Sequence, residues 1–362
     1  MKVLHVEAGR HLYGGARQVL YLLEGLAARG VVNGLVCPVD SEIAGHASPH
    51  VRDLLAVPMR GDHDLPLINR IRRLIRESRP DLVHLHSRRG ADLLGGIAAR
   101  LEGCPCVLSR RVDNPEPHWW AGIKYRLFDH VITISEAIRE VLVKEGVPGY
   151  KVTCVHSAVS ARAFQHDCER EAFNAAFGVM GGGPVMAMIA QMIPRKGHRY
   201  LLQVLPALAG RFPGLRLILF GKGPLRRELE GEVASGGLQE FVYFAGFRDD
   251  LNRWLPCLDL VVHPADMEGL GVSLLQAAAA GVPLVASRAG GIPEIVRHEE
   301  NGLLVAPGNT DELLSALDRL LEDARLRDIF GTEGRRLVQT EFSVDAMVEG
   351  NLGVYQALLA GR

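Results

Sequence analysis

The stretch ADMEGLGVSLLQAAAAG, residues 265 to 281, sets one carboxylate before two glycines and a helix of small residues. The spacing predicts a helix that begins at Val272 and ends near Gly281. The N-terminus of such a helix presents backbone N–H groups and a positive partial charge, and Gly271 lets a phosphate approach the backbone closely. The stretch therefore predicts an anion site with Glu268 at its mouth.

A second loop, AQMIPRKGH at residues 190 to 198, carries two adjacent cations after a predicted strand. Arg195 offers a guanidinium fork and Lys196 a point charge, which together suit a diphosphate. Gln276, about one turn into the predicted helix, is placed to reach a ligand held at the first loop. These features also have an ordinary interpretation, as a solvated loop carboxylate, a surface amide and a basic surface turn.

The first half of the chain has a glycine loop of its own and two pairs of arginines. YGGARQ, residues 13 to 18, opens a helix near Gly15 and can approach a phosphate, although it lacks the spacing of a dinucleotide-binding loop. HSRRGAD and SRRVDNP each place an arginine pair directly after a predicted strand: Arg88, Arg89, Arg110 and Arg111. These pairs predict an anionic acceptor, such as a phosphorylated or acidic sugar. The alternatives are two solvated basic loops, or internal salt bridges to Asp92 and Asp113.

Two parallel sheets are needed to position these side chains. Short β-branched runs alternate with amphipathic helical stretches, and a second first strand begins near residue 184. We therefore predict an α/β chain of two Rossmann-like, doubly wound domains: residues 1–165 for the acceptor and 166–343 for the donor, with helix 344–362 packing back on the first. Ligands bind off the carboxyl ends of such strands, so two of these edges facing each other would form a cleft.

Further apolar runs predict the remaining buried strands. In the first half they are residues 81–87, 106–111, 130–135 and 151–157, and in the second 215–221, 241–246, 258–264, 282–287 and 301–307. Helices are predicted at 311–323 and 344–360. Strand signals stop after Ser157, and the run Gly181 to Pro184 predicts the connection between the domains.

The composition excludes several classes of protein. A chain of 362 residues that is 48% hydrophobic suits two α/β domains, and a net charge of −1 gives no indication of nucleic-acid binding. The first residues do not resemble a signal peptide, and no run reaches about eighteen apolar residues, so we expect a cytoplasmic protein. The six cysteines are scattered without metal-ligand spacing, and we expect reduced core thiols.

Taken together, these motifs resemble the retaining GT-B glycosyltransferases of family 4. HPADMEGLGVSLLQAAAAGVPLVASRAGGIPEIVRHEENGLLVAPGN, residues 263 to 309, looks like that family's nucleotide-sugar-binding core. QMIPRKG resembles its Lys-Gly loop, DLVHLHS its strand leading to the interdomain cleft, and YGGARQV its first Gly-Gly loop. The motifs follow the family's order over almost the whole chain.

Several positions depart from the family pattern. The second of the family's two glutamates falls on Gln276, whose amide can still hydrogen-bond ribose hydroxyls. The family's frequent Gly-Arg pair is Ala190 and Gln191 here, so Arg195 is a candidate for the missing charge. Its usual histidine after the strand at 106–110 corresponds to Arg111. Its Asn-Gly pair before the linker appears as Ser157 and Ala158.

The resemblance implies a retaining transferase that moves a hexosyl group from a nucleotide-diphosphate sugar, with a UDP-sugar expected. Glu268 would position the sugar, while Lys196 and Arg195 stabilise the leaving diphosphate. The donor-binding set would be Gly15, Gln191, Gly269, Leu270, Gly271, Val272 and Gln276. No D-x-D motif stands at a strand end, so we expect no catalytic metal and no cofactor.

The resemblance also implies an acceptor held by the first half, with Arg88, Arg89, Arg110 and Arg111 as its ligands. Similar arginine pairs occur among family members that build lipopolysaccharide core and envelope glycans. A glycolipid acceptor would fit peripheral contact with the inner membrane through residues 65–79 or through HWWAGIKYRLF, residues 118–128. A helix packed on its sheet is the alternative for each stretch.

Other functions stay open on the sequence alone. A nucleotide-sugar epimerase of the same fold would need no acceptor. A non-catalytic nucleotide-sugar-binding protein is suggested by the changes at Gln276 and Arg111. A dehydrogenase is disfavoured because neither glycine loop has the dinucleotide spacing.

Overall fold

A computed structural model of the chain describes residues 1–86 and 90–361, which divide into two compact units. The first unit contains Met1–Ala158 and Val344–Arg362, and the second contains Val159–Ser343. Within the described residues, the strands of the first sheet are β1 (Lys2–Val6), β2 (Val32–Pro38), β3 (Asp53–Val57), β4 (Leu82–Leu85), β5 (Cys106–Arg110), β6 (His130–Thr133) and β7 (Val152–Cys154). Those of the second are β8 (Val185–Ile189), β9 (Arg216–Phe220), β10 (Val242–Gly246), β11 (Leu260–His263), β12 (Leu284–Ser287) and β13 (Gly302–Val305).

The helices of the described residues follow these strands in alternation. They are α1 (Gly14–Ala28), α2 (Glu42–Ala47), α3 (Pro66–Ser78), α4 (Ala91–Leu101), α5 (His118–Lys124), α6 (Glu136–Lys144), α7 (Arg170–Phe177), α8 (His198–Arg211), α9 (Arg226–Ser235), α10 (Leu251–Trp254), α11 (Val272–Ala279), α12 (Ile292–Ile295), α13 (Thr310–Glu322), α14 (Ala324–Glu341) and α15 (Val344–Ala360). None of them is both long and apolar enough to cross a membrane.

The strand pairing confirms two Rossmann-like parallel sheets. In the described chain the first sheet has the order β3-β2-β1-β4-β5-β6-β7 and the second the order β10-β9-β8-β11-β12-β13. Both orders reverse direction beside their first strand, at β1/β4 and at β8/β11, which is where doubly wound sheets bind ligands. The central strands β4, β8 and β11 are buried along their whole length because helices cover both faces, and their residues are apolar apart from His84 of β4 and His263 of β11.

Helix α15 packs on α1 within the first unit. Gly25 of α1 leaves space for Val348 of α15, since a Cβ on Gly25 would overlap a methyl group of this fully buried valine. The Gln18 amide exchanges two hydrogen bonds of 2.7 Å with the backbone of Ala158, which ties α1 to the end of the first segment. The last helix thus completes the core of the unit that begins the chain.

The expectation that all cysteines are reduced is wrong for one pair, because Cys168 and Cys257 form a disulfide. Phe177 of α7 packs edge-on against Trp254 of α10, with ring centroids 5.4 Å apart, and this contact brings the two segments together. The cysteines are 89 residues apart, so their sequence spacing gives no sign of the pairing. Residues 159–183 therefore belong to the second unit. The glycine run had predicted that the connection between the two domains lies at Gly181 to Pro184.

Three buried histidines interrupt the apolar core of the first unit. His5 on β1 and His84 on β4 are paired across the sheet, and His86 lies two residues further along the same face. His5 Nδ1 lies 2.9 Å from His86 Nε2, and His84 bonds both Tyr355 Oη, at 2.5 Å, and Ser109 Oγ, at 2.9 Å. Burial lowers the pKa of all three, to about 3 for His5, so the rings are neutral at pH 7.

The contact between Gly25 and Val348 predicts opposite effects for two helical glycine substitutions. We expect Gly25→Ala to lower the free energy of unfolding by about 1–3 kcal/mol, because the added methyl group overpacks the α1–α15 contact. Exposed Gly353 of α15 has open space around it, and Gly353→Ala should raise stability by about 0.5–1 kcal/mol through helix propensity. Urea denaturation measures both. Equal effects of the two substitutions would contradict this packing.

The neutral histidines predict that acid destabilises the first unit. The unfolded chain binds protons near pH 6.5 and the folded unit does not, so the free energy of unfolding falls as the pH falls from 7 to 5. His5 alone should account for about 2 kcal/mol of this loss. Urea denaturation at both pH values measures it. His46→Gln, at an exposed position, should leave the slope unchanged and His5→Gln should reduce it; a wild-type stability independent of pH would contradict the assignment.

Candidate active site

Two loops leave the carboxyl ends of β8 and β11, the neighbouring central strands of the second sheet. Residues 190–197 follow β8 and residues 264–271 follow β11. The amide of Asp266 donates to the Arg195 carbonyl at 2.9 Å and so joins the loops. Gly197 has φ +75° and lies so close to the Pro264 carbonyl that a Cβ would overlap it. The two loops therefore depend on glycine at position 197 to meet.

This meeting places Lys196 beside Glu268. The Lys196 ammonium forms an ion pair with Glu268 Oε2, and both side chains are largely buried. His263, the last residue of β11, places Nε2 2.8 Å from the same oxygen. Glu268 Oε1 accepts a hydrogen bond of 3.2 Å from the Gly269 amide. The sequence predicted the glutamate and the lysine at one site, and the structure brings them together.

The charge on Glu268 is fixed by these neighbours. Burial by itself would raise the pKa of the Glu268 carboxyl. The hydrogen bond from His263 and the positive charge of Lys196 outweigh burial and lower this pKa to about 2. Glu268 is therefore a carboxylate at neutral pH, able to accept hydrogen bonds but not to donate a proton.

Helix α11 begins directly after this carboxylate. Gly271 has φ +97°, a left-handed conformation that favours glycine, and it turns the loop into the helix. The amide of Gly291 donates to the Glu268 carbonyl at 3.0 Å and holds the loop from the β12 side. The first amides of α11 have no intrahelical acceptor, so the helix start is suited to bind an anion.

Gly15 lies in the first turn of α1 in the first unit, while the other predicted donor residues lie along the same edge of the second sheet. Gly269 and Val272 are half-buried, and Leu270 and Gly271 are buried and shape the loop. Gln276, one turn into α11, is half-buried, and Gln191 is exposed at the start of the β8 loop. Arg195 is half-buried next to Lys196. The polar side chains of this set, those of Gln191, Arg195 and Gln276, are thus at least partly exposed.

Two histidines of this site were missed by the sequence analysis. His263 closes the apolar strand LVVH, and His198 is the first residue of α8. His198 is 3% exposed, and neither of its ring nitrogens has a hydrogen-bond partner within the described chain. Burial and the neighbouring charges of His263 and Lys196 lower the pKa of His198 to about 4. The sequence feature that could have indicated His263 is a polar residue at the end of an otherwise apolar strand.

The predicted acceptor residues separate in the first unit. Arg110 is buried, and its guanidinium binds Glu116 at 3.1 Å and the Asn114 carbonyl. Arg111 is half-buried, donates to the His86 carbonyl at 3.3 Å, and lies against Gly15 at the start of α1. Arg88 and Arg89 fall outside the described residues.

The three histidines described above, His5, His84 and His86, also lie close enough to share a metal ion. Hydrogen bonds to one another, to Tyr355 and to Ser109 occupy four of their ring nitrogens. In the second unit, Glu268 Oε2 is engaged by a lysine and a histidine. The arrangement there favours binding a diphosphate by cations and amides.

Two family models match the chain. Residues 13–162 match "Glycosyltransferase Family 4", and residues 183–323 match "Glycosyl transferases group 1". A 2-deoxystreptamine glucosyltransferase of Streptomyces kanamyceticus is 30% identical over 305 residues, which cover 76% of this chain and 77% of that protein.

Two further curated relatives differ in coverage. An uncharacterized glycosyltransferase of Methanocaldococcus jannaschii is 29% identical over 62% of this chain and 59% of its own length. A galactosyltransferase of Escherichia coli, which by name transfers from UDP-Gal to α-D-GlcNAc-diphosphoundecaprenol, is 22% identical over 100% of this chain and 98% of its own.

Solved structures share the architecture. The Anabaena protein HepE in complex with UDP is 20% identical, with a TM-score of 0.86 over 99% of this chain and 100% of that chain. The same protein has also been solved with UDP-glucose. The fold is that of the GT-B glycosyltransferases, and the chain belongs to the group 1, family 4 glycosyltransferases.

Proposed function

We propose that this glycosyltransferase moves a hexosyl group from a UDP-sugar to an envelope glycan or glycolipid, with retention of configuration and without a catalytic metal. One observation carries the proposal: Lys196 and an ionised Glu268 meet at the start of α11. A cation and a helix N-terminus bind a diphosphate, and a carboxylate accepts hydrogen bonds from a sugar. The site thus offers the groups that a nucleotide-diphosphate sugar needs.

In this proposal different residues of the site bind the diphosphate, the sugar and the ribose of the donor. The amides that begin α11 and the side chains of Lys196 and Arg195 bind the diphosphate, with Gly269, Leu270, Gly271 and Val272 forming the loop around it. Glu268 accepts hydrogen bonds from the sugar hydroxyls. Gln276 bonds the ribose hydroxyls, and Gln191 lies at the outer end of the β8 loop.

The relatives support the choice of nucleotide. HepE, which has the same fold, was solved with UDP and with UDP-glucose. The E. coli relative takes UDP-Gal by name. Gln276 in place of a glutamate keeps a hydrogen-bond acceptor and adds an amide donor, which is compatible with a ribose diol.

The charges at the site support metal-independent chemistry. As the bond between the anomeric carbon and the phosphate oxygen breaks, negative charge grows on the diphosphate. Lys196, Arg195 and the helix amides stabilise that charge without reorganising. Glu268 Oε2 is already bonded by Lys196 and His263, so it is poorly placed to ligate a divalent cation.

Retention can follow from the same arrangement. The acceptor oxygen bonds the anomeric carbon on the face that the diphosphate leaves, and the acceptor proton passes to a phosphate oxygen of the departing UDP. Glu268 stays a carboxylate throughout and orients the sugar. No second carboxylate is required to act as a nucleophile in this scheme.

For the acceptor we propose Arg111 as a ligand in the first unit, while Gly15, at the start of α1, stays a candidate for donor binding from the sequence. Arg110 forms a salt bridge with Glu116. The alternative of internal salt bridges therefore applies to this arginine, with Glu116 as its partner instead of Asp92 or Asp113. Arg88 and Arg89 stay candidates from the sequence. An arginine beside a helix start suits a phosphorylated or acidic acceptor.

Peripheral contact with the inner face of the cytoplasmic membrane is part of the proposal. Trp119 and Ile123 of α5 are 70% and 57% exposed, and exposed Arg126 follows them. Such a set suits an anionic lipid surface. By contrast, α3 buries its apolar face, and its Arg72 and Arg76 bond Glu102, which favours an ordinary packed helix for residues 65–79.

A thermal-shift panel of UDP, GDP, ADP and their sugar conjugates, with and without EDTA, tests the donor site. We expect UDP and a UDP-sugar to raise the melting temperature, because a ligand that binds only the folded protein stabilises it. The shift should be unchanged by EDTA. A response to GDP or ADP instead of UDP would contradict the nucleotide, and a shift that EDTA abolishes would contradict the metal-free site.

Two lysine variants serve as the matched pair in that panel. Lys196→Ala should remove most of the UDP-dependent shift, and Lys144→Ala, at an exposed position of α6 in the first unit, should retain it.

Incubating the donor alone and analysing the sugar separates transfer from epimerisation. Appearance of an isomeric sugar nucleotide would favour an epimerase.

A further inference from the structure

His263 occupies an unusual place for a histidine. It ends the strand β11, whose other residues are apolar, and the residue is 1% exposed. It shares Glu268 Oε2 with Lys196, and it is near enough to His198 to lower the pKa of that ring. Burying an imidazole there costs free energy unless its ring hydrogen-bonds, and Glu268 is the partner it has.

The direction of that hydrogen bond is determined by Glu268. An ionised carboxylate oxygen can only accept, so His263 Nε2 carries the proton and donates it to Oε2 at 2.8 Å. Lys196 donates to the same oxygen. Oε1 accepts only the 3.2 Å bond from Gly269 among the described residues, and a carboxylate oxygen can accept a second donor.

Lys196 is not reserved for the carboxylate once the donor has bound. In the proposed function its ammonium also serves the diphosphate, and a point charge shared with a second anion holds Glu268 less strongly. His263 is buried at the end of β11, with Glu268 Oε2 as its hydrogen-bond partner. It remains as the fixed donor to Oε2 when the donor binds.

We propose that His263 is a positioning residue that holds Glu268 by Oε2, so that Oε1 accepts a hydrogen bond from a hydroxyl of the donor sugar. This inference rests on the proposed function and adds the orientation of Glu268 to it. The sugar is then recognised by its O–H donors, because both carboxylate oxygens only accept. His263 affects binding of the sugar and leaves the nucleotide contacts unchanged.

Isothermal titration of UDP and UDP-glucose into wild type, His263→Leu and His263→Gln tests this role. His263→Leu should weaken UDP-glucose binding about tenfold, through loss of one hydrogen bond to a buried carboxylate, while the Kd for UDP changes less than about twofold. His263→Gln should bind UDP-glucose within about threefold of wild type, because the Gln amide can also donate to Oε2. His298→Leu, which removes a histidine hydrogen bond at Leu304 in the same unit, should match wild type.

The outcomes separate this inference from the proposed function. If wild type binds neither UDP nor UDP-glucose, the proposed donor is wrong. If wild type binds both and His263→Leu binds UDP-glucose equally well, the positioning role is wrong. An equal loss of UDP and UDP-glucose by a His263→Leu protein with wild-type circular dichroism, or failure of His263→Gln to restore binding, also overturns it.

Discussion

The ion pair between Lys196 and Glu268 is the interaction on which the candidate site depends. It forms because two loops from neighbouring central strands meet: Gly197 lets one backbone lie against the Pro264 carbonyl, and the Asp266 amide donates to the Arg195 carbonyl. His263 bonds the same carboxylate oxygen, and together with Lys196 it keeps the largely buried Glu268 ionised. The start of α11 therefore lies next to a cation. Sheet order, glycine conformation and charge act together at one edge of the second unit.

Much of the fold followed from the sequence because buried parallel strands are continuous apolar runs. The strands from β4 to β13 lie within or next to the predicted runs, usually a residue or more shorter at the ends. The sequence analysis missed β2 and β3: β2 carries Asn33 and Gly34, and β3 is an edge strand with alternating exposure. It also missed α14, whose 18 residues are polar over much of their surface. These elements owe their structure to tertiary packing more than to local pattern.

The candidate site likewise has features that the sequence predicted and features that it did not. Glu268, Lys196 and the start of α11 could be predicted because each stands in a loop after a strand of one sheet, where parallel strands end together. The hydrogen bond from His263 to Glu268 could not be predicted, because it depends on the face of the sheet to which the last residue of β11 points. The disulfide of Cys168 with Cys257 also arises from tertiary packing, and the pairing of Arg110 with Glu116 depends on the conformation of the loop after β5. Loop charges therefore predicted that Lys196 and Glu268 lie together better than they predicted the partner of each arginine.

The measurement that tests the central claim most directly is a crystal structure of the protein with UDP-glucose. We predict the diphosphate on the first amides of α11 and on Lys196, with a glucose hydroxyl donating to Glu268. The alternative would be a sugar that makes no contact with Glu268, or a diphosphate bound away from Lys196. Either result would contradict the assignment of these two residues to the donor.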